Sequence, residues 1–580
     1  MLAVLGCLAL IVVVLAGIGA LIAARHRPGD ISFGAYAILG LVPLMAVGLV
    51  ANFLTPLTHD LALATVAFGL VSFAVRRRQI WLSLGARPML MLGLLCALLV
   101  AFAAGAAITP PAHDTGLYHL QAIEWLEQST RVFGLANLHL RFGVNSTWFT
   151  TAAMLDLPGV DRRNVFLLNP AVLLVALAAM LQPVVESQAS PGPLRMSNVF
   201  AAVVTVVLLV NAKILSFHRI GASPSYDLPS ALLMILAFWA FIRAYEAAAA
   251  GDAAAARAHL VLLLAACAVA VTVKLSAAPI LLLPPAALLS LHRSGHLSPR
   301  QLRGDPVMAI VGVLGIAWLA AGIASSGCIA FPAAATCLSG LPWPVPIERV
   351  RYMAAVVTGW SRMPNDHFAE ALHGWAWLKS WPFTVLAHRA FFAGTSATLA
   401  IMALLVGAVA VHGRRAGSTP MAAIRDRRVA FAIAYAAATG CIGVAFWFAT
   451  APDPRFGMGF LIGTPALFVA WAAWRWLPEQ GVMRRVWAGN AIAGLVFLFC
   501  AVFLVVFGVS AVAAARSWPE IPIALVQDEA LGPHFHANVP VGTDQCWDAP
   551  LPCAPDFRSP SLRDGRVLIW RSIEAGVTGP

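Results

Sequence analysis

Charged residues are scarce in this sequence, and their scarcity excludes a soluble globular domain. Asp, Glu, Lys and Arg make up 11% of the 580 residues, whereas 60% of the residues are hydrophobic and the mean hydropathy is +0.82. Soluble domains usually contain roughly 45–50% apolar residues. The composition therefore predicts a polytopic membrane protein.

Closely spaced metal ligands are also lacking. The nine cysteines are scattered, and five of them lie inside apolar runs, where a free thiol behaves as a small hydrophobic group. His113, His119 and His139 fit no standard zinc spacing. We therefore expect no metal site and no resident cofactor, although a requirement for a divalent ion stays open.

The net charge of +12 does not indicate a nucleic-acid partner. The basic residues form short clusters between apolar runs, which is the pattern of cytoplasmic loops in membrane proteins. The lipid bilayer is the expected partner, and nucleic acid is not.

Apolar runs define the expected fold. A helix of about twenty apolar residues crosses a hydrocarbon core of about 30 Å, and roughly fourteen runs are long enough, among them residues 198–212 and 385–411. We therefore predict an all-α polytopic membrane protein with roughly 14 transmembrane helices, large external loops and a small external C-terminal region. The first run, residues 2–23, has no convincing cleavage site and is expected to be a retained span.

Arginine clusters orient these spans. The loops that hold Arg76, Arg303, Arg415 and Arg485 should be cytoplasmic. The predicted parts are N-terminal helices (1–107), a first external loop with an interfacial helix and a possible re-entrant segment (108–157), central helices (158–324), a second external loop (325–384), C-terminal helices (385–513) and an external C-terminal region (514–580).

Two cysteine pairs fall in the external parts, where disulfides persist. Their spacing suits local loop staples, and neither pair has a second pair or a nearby histidine in the spacing of a metal site. We predict disulfides within each pair, Cys328 with Cys337 and Cys546 with Cys553.

The first external loop carries an acid, Asp114, next to His113, Tyr118 and His119. The following segment, Thr115–Gln128, has apolar and polar residues on opposite sides, as in a helix that lies along a membrane interface. Asp114 could cap this helix, since Asp is a favoured capping residue, or it could carry chemistry. The two interpretations are compatible.

Three further external points are polar. The turn at residues 216–229 offers Arg219 and Asp227, and Lys274 interrupts a long apolar region, where an ionisable residue indicates function by default. The alternative for Lys274 is a lysine that reaches the membrane surface. Asp453 and Arg455 form the third point, and they could simply pair with each other.

These stretches resemble GT-C type integral-membrane glycosyltransferases. The resemblance rests on DTGLYHLQAIEWLE, LHLRFGVNSTWF, SPSYDLP, PDPRFG and QCWDAPLPC, and it is closest to a bacterial branch of GT-C-like proteins. It implies transfer of a sugar from a polyprenyl-phosphate donor to a glycan, lipid or protein acceptor. The reaction would be inverting and would occur at the periplasmic face of the bacterial inner membrane. The chain departs from the family in having about three more spans before the catalytic loop and no second acid beside Asp114.

The resemblance also implies roles for the polar residues. Asp114 would be the general base, Asp227 the second acid, and Arg455 and Lys274 the groups that hold the lipid phosphate. The remaining expected substrate contacts are His113, Tyr118, His119, Glu124, Arg219 and Asp453. Two alternatives stay open: a transporter or flippase of a lipid-linked sugar, and a surface-polysaccharide polymerase or ligase with a diphosphate-linked donor.

Overall fold

A computed structural model gives the fold as a bundle of long apolar helices with polar loops at both ends. It describes residues 1–186, 195–210, 222–363, 369–383, 395–404, 407–408, 427–476, 482–532 and 535–555.

Twelve helices of the described chain are long and apolar enough to span a membrane. In chain order they are α1 (Leu2–Ile22), α2 (Phe33–Asn52), α3 (His59–Leu82), α4 (Pro88–Ile108), α5 (Leu168–Glu186), α6 (Asp227–Ala249), α7 (Ala253–Val273), α8 (Leu275–Arg293), α9 (Pro306–Ser326), α10 (Arg427–Thr450), α11 (Pro454–Arg475) and α12 (Asn490–Ala514). The prediction of an all-α, multi-pass membrane protein is therefore confirmed.

The expected count of fourteen spans is not confirmed. Each of the twelve helices coincides with an expected span, and two expected spans have no counterpart among them. The span expected at 198–212 overlaps an apolar helix that is described over 15 residues, Met196–Val210, and residues 211–212 lie outside the described chain. Most of the span expected at 385–411 lies outside the described residues.

Shorter elements connect the spans. On the first external loop and just after it they are a π-helical turn (Thr115–His119), the helix Leu120–Gln128, 3-10 turns at Leu135–Asn137 and Leu140–Gly143, and the helices Thr147–Ala153 and Arg163–Phe166. Elsewhere they are the helices Pro299–Arg303 and Ile347–Arg362, and 3-10 turns at Ala334–Thr336, Glu370–Leu372 and Ala376–Lys379.

Loops that the arginines assign to the cytoplasm meet at one end of the bundle. The Arg25 guanidinium donates a hydrogen bond to the carbonyl of Gly304. His26 Nε2 lies 3.0 Å from Asp305 Oδ2. The turn after α1 and the turn before α9 are therefore neighbours, as the basic clusters predict.

Loops assigned to the outside meet at the opposite end. Leu57, just beyond α2, donates its backbone N–H to the carbonyl of Leu126 at 2.8 Å. Gly134 donates its N–H to the carbonyl of Ala324, near the end of α9, at 2.8 Å. These hydrogen bonds hold the first external loop against the ends of α2 and α9.

Small residues let the N-terminal helices approach closely. A Cβ atom on Gly19 of α1 would lie 1.7 Å from the carbonyl oxygen of Tyr36 on α2, so only glycine fits there. Such contacts between small residues replace the hydrophobic effect as the basis of helix association in lipid. α6 is almost wholly buried among the other spans, and its first turn lies beside the loop that holds Tyr118.

The C-terminal region contains a feature that was not predicted. Val526–Gly532 and Phe535–Pro540 form a two-stranded antiparallel sheet, with Val526 opposite Pro540. This hairpin belongs to the external region, so it does not alter the all-α character of the membrane part.

Both predicted cysteine pairs lie at disulfide distance. Cys328 is joined to Cys337 in the second external loop, and Cys546 is joined to Cys553 after the hairpin.

Thiol counting should reflect these pairs. Of the nine cysteines, five are free, so alkylation of unfolded, unreduced protein should label five thiols, and reduction should expose four more. Intact-mass measurement before and after reduction provides the count. Labelling of all nine cysteines without reductant would contradict the pairing.

Candidate functional site

Asp114 lies between two guanidinium groups that come from distant parts of the chain. Its Oδ1 is 3.7 Å from Arg141 Nη1, and its Oδ2 is 3.5 Å from Arg455 Nη1. About a quarter of the Asp114 side chain is exposed, so a ligand could reach the carboxylate. Asp114 stands at the N-terminal end of the π-helical turn, but its side chain makes no capping hydrogen bond. The geometry therefore favours ion pairing over the capping interpretation.

Asp453 orients Arg455. The Asp453 Oδ1 atom accepts a hydrogen bond from the backbone N–H of Arg455 at 2.9 Å and lies 3.4 Å from its Nε. The two residues therefore do pair with each other, as the alternative interpretation of this turn predicts. Arg455 also reaches Asp114, so one guanidinium links two acids.

The second ion pair joins Asp227 and Lys274. Lys274 Nζ donates a hydrogen bond to Asp227 Oδ1, and the side chains of Lys274 and Asp227 are only 11% and 7% exposed. The ammonium group also lies 4.1 Å from the centroid of the Phe456 ring, and Phe456 follows Arg455 directly in the chain. Cation and aromatic contacts of this kind are favourable. The two ion pairs are therefore neighbours, and Lys274 is engaged inside the protein rather than at the membrane surface.

A break in the helical path positions Lys274. α7 ends at Val273, Lys274 has an extended backbone, and α8 begins as a 3-10 helix over Leu275–Leu282. Pro279 lies inside that 3-10 segment, and proline removes a hydrogen-bond donor from the helical ladder. Ser276 donates a hydrogen bond to the carbonyl of Phe456 at 2.9 Å. The break is thus fastened to the turn that carries Arg455.

The short helix Thr147–Ala153 supports the same region. Ser146 donates its hydroxyl to the carbonyl of Val273 at 2.8 Å, and Thr147 Oγ1 is 3.2 Å from Thr272 Oγ1. This helix has seven residues and is fully buried, so the segment does not cross the membrane, as its length indicates.

Aromatic side chains line the site beside the acids. The hydroxyl oxygens of Tyr118 and Tyr226 are 2.7 Å apart. The ring of His119 lies 5.4 Å from that of Phe149 and 5.8 Å from that of Tyr226, measured between centroids. Arg141 lies over the Tyr118 ring at 5.4 Å. These contacts surround the charged groups with largely buried aromatic side chains.

The charge state of the site follows from burial and from the two arginines. Burial alone would raise the pKa of Asp114, but Arg141 and Arg455, with smaller contributions from the nearby histidines, bring it below the usual value. Burial lowers the pKa of His119 to about 4, although Asp114 acts in the opposite direction. At neutral pH, Asp114 is therefore an anion and His119 is uncharged.

The Leu120–Gln128 helix corrects one expectation. Its polar side was expected to face the membrane interface, but Gln121 and Glu124 are buried. Glu124 lies 2.8 Å from an Arg162 Nη2 atom and accepts a hydrogen bond from Gln121. Burial raises the pKa of Glu124 to about 7, although Arg162 opposes the shift. The helix is thus a packed internal element, because other parts of the chain cover its polar side.

The other predicted contacts divide into two groups. Tyr118 and His119 lie beside Asp114 and Asp227. Glu124 instead forms an ion pair with Arg162. His113 is mostly exposed and lies 3.0 Å from Asp544 of the C-terminal region. Arg219 lies outside the described residues.

Two residues at the site were not singled out from the sequence. Arg141 lies in the stretch LHLRFG, and its positive charge in the same external loop as Asp114 was the available signal. Tyr226 directly precedes Asp227 in SPSYDLP, but nothing in the sequence indicates that its hydroxyl meets Tyr118.

The C-terminal region docks on the first external loop. Trp547 donates its backbone N–H to the carbonyl of Gly116 at 2.9 Å. Gln121 donates to the carbonyls of Trp547 and Ala549, at 3.2 and 2.8 Å. The loop closed by the second disulfide therefore covers the segment that follows Asp114.

Gly116→Val should loosen this docking. A Cβ atom at Gly116 would lie 2.5 Å from Trp547 Cε2, and a buried indole has little room to move. We expect several-fold faster trypsin cleavage after Arg516, which is exposed, followed by gel electrophoresis. Gly312→Val is the matched control, since the space around its Cβ position is open. Equal cleavage rates in the two variants would argue against a tight contact at Gly116.

Among the residues that the structure describes, no group of three or more His, Cys, Asp or Glu side chains is arranged to hold a metal ion. The site is instead a set of fixed charges: three carboxylates and three cations next to aromatic rings.

Residues 1–462 match a protein-family model described as "Domain of unknown function (DUF8201)". The chain belongs to the DUF8201 family. No curated protein matches the sequence, and no solved structure matches it.

The DUF8201 match contains every charged residue of the site. These residues are Asp114, Arg141, Asp227, Lys274, Asp453 and Arg455, all within residues 1–462. The C-terminal hairpin and the second disulfide lie beyond it. In this DUF8201 member, the ion-paired site thus lies wholly within the matched region, and the segment that covers the first external loop comes from outside it.

Proposed function

We propose that this protein is an inverting, GT-C-like glycosyltransferase. It would move a sugar from a polyprenyl-phosphate donor to a glycan, lipid or protein acceptor of the cell envelope, at the periplasmic face of the bacterial inner membrane. The observation that carries the proposal is the Asp114 carboxylate, partly exposed, between Arg141 and Arg455 and next to the Asp227–Lys274 pair.

The arrangement suits a reaction in which a phosphate leaves. The acceptor hydroxyl would attack the anomeric carbon, the bond from that carbon to the phosphate oxygen would break, and Asp114 would receive the proton. A general base must lie within hydrogen-bond reach of the proton that it removes, and a partly exposed carboxylate meets that requirement. The planar guanidinium of Arg455 matches phosphate oxygens, and Lys274 would add a second fixed charge for the leaving group.

Donor binding would also prepare the base. In the free protein the arginines hold the pKa of Asp114 below its usual value, which makes the carboxylate a weak proton acceptor. Positive charges near an acid favour its ionised form. A phosphate bound to Arg455 would neutralise part of the positive charge that acts on Asp114. The pKa of Asp114 would then rise when the donor is in place. Asp227, paired with Lys274, would orient the sugar or the acceptor.

The position of the charged groups along the helices favours transfer over transport. Lys274 directly follows the last residue of α7, Asp227 is the first residue of α6, and Arg455 is the second residue of α11. Transporters place their substrate groups near the membrane midplane, in broken helices. Charged groups at helix ends fit a site that a lipid phosphate reaches from the membrane surface.

The proposal is tested by supplying defined donors to the purified full-length protein. A polyprenyl-monophosphate sugar and the corresponding diphosphate-linked donor are offered with cell-envelope extract, and sugar transfer is followed by radiolabel. Transfer from the monophosphate donor by the wild-type protein supports the proposal. Transfer from the diphosphate donor alone would identify a polymerase or ligase instead.

A strain that lacks the protein provides the second arm. Its envelope glycans should change, and the wild-type protein should restore them. If flipping of a labelled lipid-linked sugar across proteoliposomes occurs without any transfer, the protein is a flippase and the proposal is wrong.

A further inference from the structure

A cavity with both polar and apolar lining residues lies next to the Asp114 site. Phe149 separates the two, since its ring contacts His119 and Tyr226 on one side and lines the cavity on the other. The cavity is bordered by the end of α2, the Leu120–Gln128 helix and the loop that follows it, including Trp125 and Arg131. Its enclosed part has room for only a few water-sized groups.

Two residues that line this cavity carry buried donors without partners. Nε and Nη2 of Arg131 and Nε1 of Trp125 are shielded from solvent and make no hydrogen bond within the described parts of the chain. Both residues line the cavity. The backbone of Arg131 is fixed, because its N–H donates to the carbonyl of Asn52 at 2.7 Å, and its guanidinium lies 5.7 Å from the centroid of the Phe53 ring.

Arg131 also has no acidic counter-charge within the described chain at ion-pair distance, unlike Arg141, Arg162 and Arg455. Burial lowers its pKa to about 10, so the group stays charged at neutral pH. A buried charge without a partner is costly, and buried donors normally find an acceptor. The guanidinium and the indole N–H donate and cannot accept. An acceptor with negative charge would satisfy both donors and balance the charge of Arg131.

We propose that this cavity binds the anionic group of a ligand that enters from the outer side, a carboxylate or a phosphate, through the guanidinium of Arg131 and the indole N–H of Trp125. The size of the enclosed part fits an anionic group and leaves the rest of the ligand at the opening. Ser146, Thr150 and the unpaired Oδ1 of Asn52 line the same cavity and would bind neighbouring hydroxyl groups. The site rests on its own observations and does not depend on the proposed reaction.

Binding is measured as thermal stabilisation, because a ligand that binds only the folded state raises the unfolding temperature. The full-length protein in phosphatidylcholine nanodiscs is titrated with inorganic phosphate and, separately, with D-glucuronate at constant ionic strength. We expect a saturable rise for at least one of them, and a half-effect concentration at least tenfold higher in Arg131→Gln. Arg351→Gln, an exposed arginine of the second external loop, should respond like the wild type.

A lipid source of the anion is distinguished by a second set of nanodiscs that contain phosphatidylglycerol. A rise in unfolding temperature there without added anion, lost in Arg131→Gln and kept in Arg351→Gln, would assign the site to an anionic lipid headgroup. Asp114→Asn should keep the anion response in either arm, which separates this site from the proposed catalytic one.

Two outcomes would overturn the assignment: no saturable effect of phosphate, glucuronate or phosphatidylglycerol on the wild-type protein, or an undiminished response in Arg131→Gln. If Arg131→Gln does not fold, the same titrations are carried out with Arg131→Lys and Trp125→Phe. The first keeps the charge but loses the planar donor pair, and the second keeps the ring but loses the N–H. Each should weaken the response several-fold, and wild-type affinity in both would reject the site.

Discussion

Asp114→Asn should lower the turnover of sugar transfer by about 100-fold or more, the usual contribution of a general base, while the unfolding temperature changes little. Asn fills the same space but cannot accept a proton as a carboxylate does. Stability should be nearly kept because Arg455 retains Asp453 as a partner, and because the Asp114 side chain makes no capping bond that could be lost. Initial rates with a polyprenyl-monophosphate sugar, together with thermal unfolding, give both quantities.

Asp544→Asn is the matched control for this prediction. It removes one external carboxylate of the same type, which pairs with His113 and is about half exposed. Its turnover should equal that of the wild type. Full activity in Asp114→Asn would remove Asp114 from the mechanism and make Asp227 the remaining candidate for the base.

Lys274→Met should cause the largest loss of stability. It leaves the Asp227 carboxylate buried without its partner, and removal of one member of a buried ion pair costs about 3–5 kcal/mol. Asp227→Asn combined with Lys274→Met should recover most of that loss, since no charge is then left unpaired. Thermal unfolding of the full-length protein, followed by tryptophan fluorescence, measures both variants.

Activity separates a structural role of the Asp227–Lys274 pair from a functional one. The stable double variant should still be inactive if Lys274 binds the lipid phosphate, whereas a purely structural pair would give an active double variant. Lys379→Met is the control, because Lys379 is exposed in the second external loop and should tolerate the change. If Lys274→Met alone were as stable as the wild type, the pair would not be buried as described.

Hydropathy and charge predicted much of the membrane part. Each of the twelve candidate spans in the described chain corresponds to a run of apolar residues, because a helix satisfies every backbone polar group within its own segment, as a membrane requires. The Met196–Val210 segment shows the limit of this reasoning. It is apolar, but its 15 described helical residues are fewer than the roughly 20 that cross a hydrocarbon core, so apolar composition alone does not establish a span.

Several charged residues of the site could also be recognised from the local sequence. Asp114, Lys274 and Arg455 interrupt or border apolar runs, where a charge is costly and therefore informative. Arg141 did not stand out, because a cation within a polar loop is ordinary. Its relevance comes only from its distance to Asp114.

The sequence by itself thus determined a multi-pass membrane protein, the order of its spans and two cysteine pairs at disulfide spacing, since these depend on composition within short segments. Only the tertiary structure decided that Asp114 meets Arg455, that Lys274 pairs with Asp227, and that the C-terminal region covers the polar side of the Leu120–Gln128 helix. The physical reason is that these contacts join helix ends and loops far apart in the chain. Their meeting is set by how the helices pack, and packing depends on the shapes of many side chains at once rather than on any local pattern.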